Sequence, residues 1–187
     1  MAQEKFNIIN LVNQGGCFDL QFRKDTRHER TGSPTYYRWK IQFVITAPKE
    51  SVKLLDKAKK LIGCGKISQT PGQTRFSVQD IDDIINVLIP FFIKNKLRDV
   101  MKKDQSTKIS GKFGARPSTY KNRCSGFDLW QKAVAIIYAN KGITILKWKK
   151  NDLHSLIEIH KSMAKYKHKP KSPKWIQMAQ NLTKKMI

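Results

Sequence analysis

Phe6-Asn7-Ile8-Ile9-Asn10-Leu11-Val12-Asn13-Gln14-Gly15-Gly16-Cys17-Phe18 changes its apolar period part way along. Up to Asn13 the apolar residues recur at helical spacing. After Gly15-Gly16 they alternate: Phe18, Leu20 and Phe22 fall on one side, Asp19, Gln21 and Arg23 on the other. The pattern predicts a helix over about residues 4–13 that stops at the glycines and passes into a half-buried strand over about residues 17–23.

Outward from that segment the same two periods repeat. A polar loop, Lys24 to Pro34, ends in turn formers and carries Arg27 and Arg30. A long alternation from Tyr36 to Thr46 predicts a second strand. Its apolar face is Tyr37, Trp39, Ile41, Phe43 and Ile45; its polar face includes Arg38, Lys40 and Gln42. Residues 51–61 return to helical spacing, with Val52, Leu54, Leu55, Ala58, Leu61 and Ile62 expected inward and a helix stop at Gly63. A second hairpin follows, turning at Pro71-Gly72, with Lys66 and Ser68 on its first strand and Arg75 on its second. A third helix is expected from Asp80 to about Phe92, closed by Pro90-Phe91-Phe92. This order predicts an α+β domain: a four-stranded antiparallel sheet with helices packed on one face.

These pieces together resemble the LAGLIDADG homing endonucleases of the single-motif type. The resemblance rests on Gly16-Cys17-Phe18 after the first helix, Leu54-Leu55, Ile62-Gly63-Cys64-Gly65-Lys66-Ile67, Asp83-Ile84-Ile85 with Ile89-Pro90-Phe91-Phe92, and Phe127 to Ala133. A closing helix from Asp152 to Met163 completes it, so the likeness covers roughly residues 6–164. It implies an αββαββα domain over 1–164, with a basic insertion at about 98–126, and a basic tail over 165–187. It further implies a saddle-shaped sheet whose polar face lies on nucleic acid. In the family two such first helices pack together, from two chains or two repeats. Each delivers a carboxylate to divalent metals that cleave DNA.

Against that pattern the chain departs at the end of the first helix and on its pairing face. Gly15 stands where the family has its metal-binding Asp or Glu. Asn13, Gln14 and Gly16 beside it are also without charge. Magnesium prefers carboxylate oxygens, so the expectation is that no cofactor is held and cleavage is lost, Mg2+ being required only if endonuclease activity survives. Ile9 and Asn10 stand where small residues let the paired helices approach, and the family-like homodimer is not expected. The apolar face Ile8, Ile9 and Val12 leaves room for another protein to cover the helix.

The charge is extreme: 37 Lys and Arg against 14 Asp and Glu, net +23. Such a surface repels itself unless it meets a polyanion, and phosphates supply affinity by counterion release. Candidate contacts on the sheet are Gln21, Arg23, Arg38, Lys40, Gln42, Lys66, Ser68 and Arg75, with Arg27 and Arg30 in the first loop. The insertion adds Lys102, Lys103, Lys108, Lys112, Arg116, Lys121 and Arg123 among glycines, and Phe113 and Tyr120 for base stacking. The tail adds Lys167, Lys169, Lys171, Lys174 and Trp175, a short final helix being expected from Trp175 to Met186.

Cys17, Cys64 and Cys124 have no metal-binding or disulfide spacing, which fits a reducing compartment. No apolar run spans a bilayer. Richness in Lys, Ile and Asn fits an AT-rich organellar gene. The expectation is therefore a catalytically inactive RNA-binding protein of a mitochondrial (alternatively plastid) ribosome, contacting rRNA and possible ribosomal-protein neighbours. Two other readings stay open: a group I intron maturase, and an active or relict DNA homing endonuclease.

Overall fold

The computed structural model describes residues 6–26, 35–95, 120–165 and 173–184. Helix α1 runs Ile8–Gly15. Asn7 caps it: its Oδ1 accepts from the N–H of Ile9 at 2.9 Å and of Asn10 at 3.4 Å, which satisfies amides that have no partner inside the helix. Strand β1, Gly16–Thr26, follows without a linker. Gly16 is extended at φ −75° and ψ 140°, not the left-handed cap that a glycine stop predicts. Glycine is needed there for space: a Cβ would lie 2.5 Å from the carbonyl oxygen of Val12.

Strand β2 is Thr35–Pro48, a short 3-10 turn covers Lys49–Ser51, and α2 is Val52–Ile62. Gly63 ends α2 at φ 90°, donating its N–H to the carbonyl of Lys59. Leu61 is 52% exposed rather than inward; Leu55, Ala58 and Ile62 hold the buried side. Strands β3 (Lys66–Thr70) and β4 (Gln73–Val78) turn at Pro71-Gly72 as the composition predicts. The sheet order is β1-β2-β4-β3, with β4 antiparallel to both neighbours: Thr46 lies opposite Arg75 on one side and Ser68 opposite it on the other.

The next helix does not close at Pro90. α3 (Ile81–Asp83) passes through a wide π turn, Ile84–Leu88, into α4 (Ile89–Lys94). Ile89 donates to the carbonyl of Ile84, five residues back. A proline offers no N–H and crowds the carbonyl four residues earlier, here Asn86. The extra residue in the turn opens room at that point, so the helix continues. Helix α5 is Tyr120–Ala139, α6 is Lys150–Lys165 and α7 is Pro173–Lys184. Tyr120, Lys121 and Arg123 therefore begin a long helix and are not part of a turn-rich loop; residues 98–119 of the expected insertion lie outside the described residues. α7 starts and ends two residues earlier than expected and packs on α6, burying Ala179 and Thr183.

The chain forms two compact units. The first, Met1–Asp19 with Gln42–Phe127, is held by an aromatic cluster. Phe43 meets Phe18 at 5.2 Å, Phe92 edge-on at 5.1 Å and Phe76 edge-on at 6.4 Å, and Phe18 meets Phe127 at 4.9 Å. The second, Leu20–Ile41 with Asp128–Ile187, stacks Phe22 on Tyr37 at 5.6 Å and sets Trp39 edge-on to the buried His160. Trp130 is fully buried there, and Trp148 is half-exposed.

Phe43→Ala removes a fully buried ring with three ring contacts. It is expected to cost about 3–5 kcal/mol, read as a lower urea midpoint with an unchanged denaturant slope.

Candidate nucleic-acid interface

In the first unit the polar side of the sheet carries a chain of hydrogen bonds across three strands. Asp19 on β1 accepts from Gln42 Nε2 on β2 at 2.9 Å; Gln42 Oε1 accepts from Arg75 Nη2 on β4 at 3.2 Å. The order of donors leaves Gln42 one orientation. A carboxylate can only accept and a guanidinium can only donate; turning the amide over would set oxygen against oxygen and N–H against N–H. Asp19 and Gln42 are buried, Gln42 at 3% exposure. Gln42, expected to touch the ligand, is therefore an interior link that holds the half-buried Arg75. Asp19 is part of the interface through it. Its place was visible in the sequence, two residues before Gln21 on the same side of β1.

Lys66 and Ser68 are exposed on the edge strand β3, as expected of ligand contacts. In the second unit Arg23 and Arg38 are exposed, and Gln21 and Lys40 are half-buried. Arg23 donates from Nε to Gln21 Oε1 at 2.9 Å, which leaves its terminal nitrogens forward. Lys121 and Arg123 lie in the first turns of α5, and Lys174 and Trp175 in the first turn of α7. Arg27, Arg30, Lys102, Lys103, Lys108, Lys112, Arg116, Lys167, Lys169 and Lys171 lie outside the described residues, as does Phe113.

The end of α1 is the other candidate centre. Asn13, Gln14, Gly15 and Gly16 offer amide and carbonyl oxygens only. Gly15 also has no room: a Cβ built on it would lie 2.6 Å from the backbone carbonyl oxygen of Thr46. The nearest following acid, Asp19, is buried and bonded to Gln42. These residues do not fit the carboxylate-bound divalent metals that the family likeness implies. Among the described residues, no group of three or more His, Cys, Asp or Glu comes together.

The outward side of α1 differs from expectation. Ile8, Ile9 and Val12 are all buried within this chain, so no second protein is needed to cover them. Asn10 is exposed and Gln14 half-exposed. The obstacle to close helix pairing is thus Asn10 and not Ile9.

A protein-family model described as LAGLIDADG endonuclease matches residues 11–109, and the chain belongs to that family. The chain is 35% identical over 89 residues to the probable intron-encoded endonuclease 3 of Neurospora crassa, an alignment taking 46% of this chain and 16% of that protein. Its fold is similar to that of the I-SmaMI LAGLIDADG homing endonuclease bound to cleaved DNA, with a TM-score of 0.62 at 15% identity over 94% of this chain and 47% of the other. It is also similar to the I-LtrWI LAGLIDADG homing endonuclease bound to target DNA, with a TM-score of 0.56 at 21% identity over 83% of this chain and 43% of the other. The chain thus spans less than half the length of either structure. No described helix is long and apolar enough to cross a membrane.

Cys64 is half-buried near the start of β3. Burial, then the Asp83 carboxylate, push its thiol from 9.0 up to about 11. The native thiol keeps its proton where the unfolded chain has lost it, so stability falls as pH rises from 9.0 to about 11. Thiol labelling followed by peptide mass is expected to leave Cys64 slow until about pH 10, while the exposed Cys17 reacts earlier.

Asp19→Asn keeps an acceptor for Gln42, whereas Asp19→Leu frees it. The Asn variant is expected to hold nucleic acid within about threefold of the wild type and the Leu variant to lose about tenfold. Filter binding on nuclease-treated protein checks both.

Proposed function

We propose that this chain binds nucleic acid through the LAGLIDADG fold without cleaving it, and that its ligand is structured RNA. The observation that carries the first part is Gly15. A missing carboxylate alone could be regained by one substitution. A site closed by the Thr46 carbonyl at 2.6 Å resists it, because the helix end itself has to shift before any side chain fits. Without a carboxylate at this helix end the chain cannot hold hydrolytic metals in the family's manner. Binding needs none of that chemistry. It needs cationic donors at the surface, and the exposed Arg23, Arg38 and Lys66 supply them, with the half-buried Arg75 held by Gln42.

The RNA reading rests on charge. A net +23, with lysines spread over the sheet, α5 and the C-terminal residues, suits dense phosphates met from several sides. The form we favour is rRNA in a mitochondrial ribosome, held beside neighbouring ribosomal proteins. A second reading, an intron maturase or relict DNA binder, is favoured by the intron-encoded relative and by the DNA in the similar structures.

With Mg2+ and a randomised duplex library, the nuclease-treated protein is expected to bind equally with and without EDTA and to cut nothing. Gly15→Asp is expected to remain inactive and to lose about 1–3 kcal/mol of stability. Site-specific double-strand cleavage by the chain alone would overturn the reading. In competition at equal salt, structured RNA is expected to displace duplex DNA about tenfold better; the reverse order selects the relict DNA binder. In organelle extract, release from a washed ribosomal subunit by RNase supports the rRNA form, and travel with a single intron transcript supports the maturase.

A further inference from the structure

Between α5 and α6 the chain holds apolar side chains out in water on an ordered loop. Three of the five large hydrophobics that are exposed among the described residues fall in nine consecutive positions: Tyr138 at the end of α5, Ile143 at 46% exposure and Leu146 at 64%. The loop is not loose. Lys141 N–H donates to Tyr138 O at 3.0 Å, Ile143 N–H to Asn140 O at 3.1 Å and Lys147 N–H to Thr144 O at 2.8 Å. Trp148 Nε1 reaches back to Ile143 O at 3.0 Å, and Asn140 Nδ2 ties the loop to Asp152 Oδ2 at 3.0 Å. Gly142, at φ 78°, makes the bend that presents Ile143. An exposed aliphatic on a mobile segment can fold back; these are fixed outward.

Their surroundings carry one sign of charge. Lys141, Lys147, Lys149 and Lys150 are all exposed, and residues 138–150 contain no Asp or Glu. The next acid along the chain, Asp152, is half-buried and bonded to Asn140. Nucleic acid would use the lysines but gains nothing from Ile143 or Leu146, which can neither stack on bases nor bond to phosphate. A surface with anionic headgroups over a hydrocarbon layer uses both: the lysines stay at the phosphates and the aliphatic tips enter beneath.

We propose that the loop spanning residues 138–150 is a docking surface for an anionic lipid bilayer, with Ile143 and Leu146 inserted and the four lysines at the headgroups. The contact is interfacial and reversible. It shares no residue with the sheet positions assigned to nucleic acid.

Flotation of nuclease-treated full chain with phosphatidylcholine vesicles, with and without about one-third phosphatidylglycerol, tests it. Any protein of this charge adsorbs to anionic vesicles at low salt, so the deciding measurement is at about 0.5 M salt, where screening shortens to a few Å. The wild type is expected to float with the anionic vesicles and not with the neutral ones. The double variant Ile143→Ser, Leu146→Ser is expected to lose at least tenfold in partitioning, and Leu146→Asp likewise. Both side chains are exposed, so thermal melting should be unchanged. Arg75→Ala should alter flotation less than twofold while weakening RNA binding. Equal flotation of wild type and both loop variants would overturn the proposal, leaving charge alone as the cause. So would a parallel loss of RNA binding in the loop variants, which would give the loop to nucleic acid. Failure of RNA binding in the wild type, with flotation intact, would count against the proposed ligand and not against the loop.

Discussion

The close approach of the α1 end to β2 is the constraint on which the first unit turns. The helix runs into β1 with no linker, and Gly15 sits so near the Thr46 carbonyl that a Cβ would lie 2.6 Å away. Gly16 is equally confined by Val12 of the helix behind it. Two successive positions without side chains let a helix convert to a strand in one step, and that step delivers Phe18 into the aromatic cluster beside Phe43, Phe92 and Phe127. The same geometry occupies the place where the family has its acid. Packing and metal chemistry compete for one residue, and in this chain the residue present serves packing.

On the sheet's polar side in the first unit, burial changes the role of a residue without changing its chemistry. Gln42 has a suitable side chain for a base edge, yet both ends of its amide are used within the protein. Leaving either end unpaired in a buried setting would cost about 1–3 kcal/mol. Its remaining value is orientation. An arginine in water loses freedom when it binds a phosphate or base; one already tethered loses less. Asp19 at the far end matters for the same reason, since it fixes which way the amide points.

Strand alternation made the sheet legible, because a one-residue slip would send Phe43 and Ile45 outward. The glycine stop at Gly63 and the turn at Pro71-Gly72 were equally legible, since each is a local demand on backbone geometry. What the sequence did not disclose depended on neighbours. Pro90 reads as a stop, yet the π turn before it absorbs the missing N–H. Leu61 and Ile62 both fit the apolar face of α2, yet only Ile62 is buried and Leu61 is left in solvent. Tyr120 to Gly126 looks turn-rich beside glycines and prolines, yet it forms the first turns of α5. For the candidate site, the residue types on alternating positions were readable. Which of them stays buried, as Gln42 does, was not, because that is set by partners on β1 and β4.

A net +23 on 187 residues raises the free energy of any compact state of this chain through self-repulsion. The apolar cores described above offset that repulsion, and a bound polyanion would lower it further while adding counterion release. Folding and ligand binding are then coupled: whatever binds the native face also stabilises the fold by mass action. On the function proposed above, absence of cleavage would have little structural consequence, since a hydrolytic acid contributes nothing to that coupling. If the proposed function holds, substitutions at Arg23, Arg38 or Arg75 would weaken it directly. On the proposed function the cationic face answers to the ligand, while the end of α1 answers to packing, where Gly15 and Gly16 let the helix pass into β1.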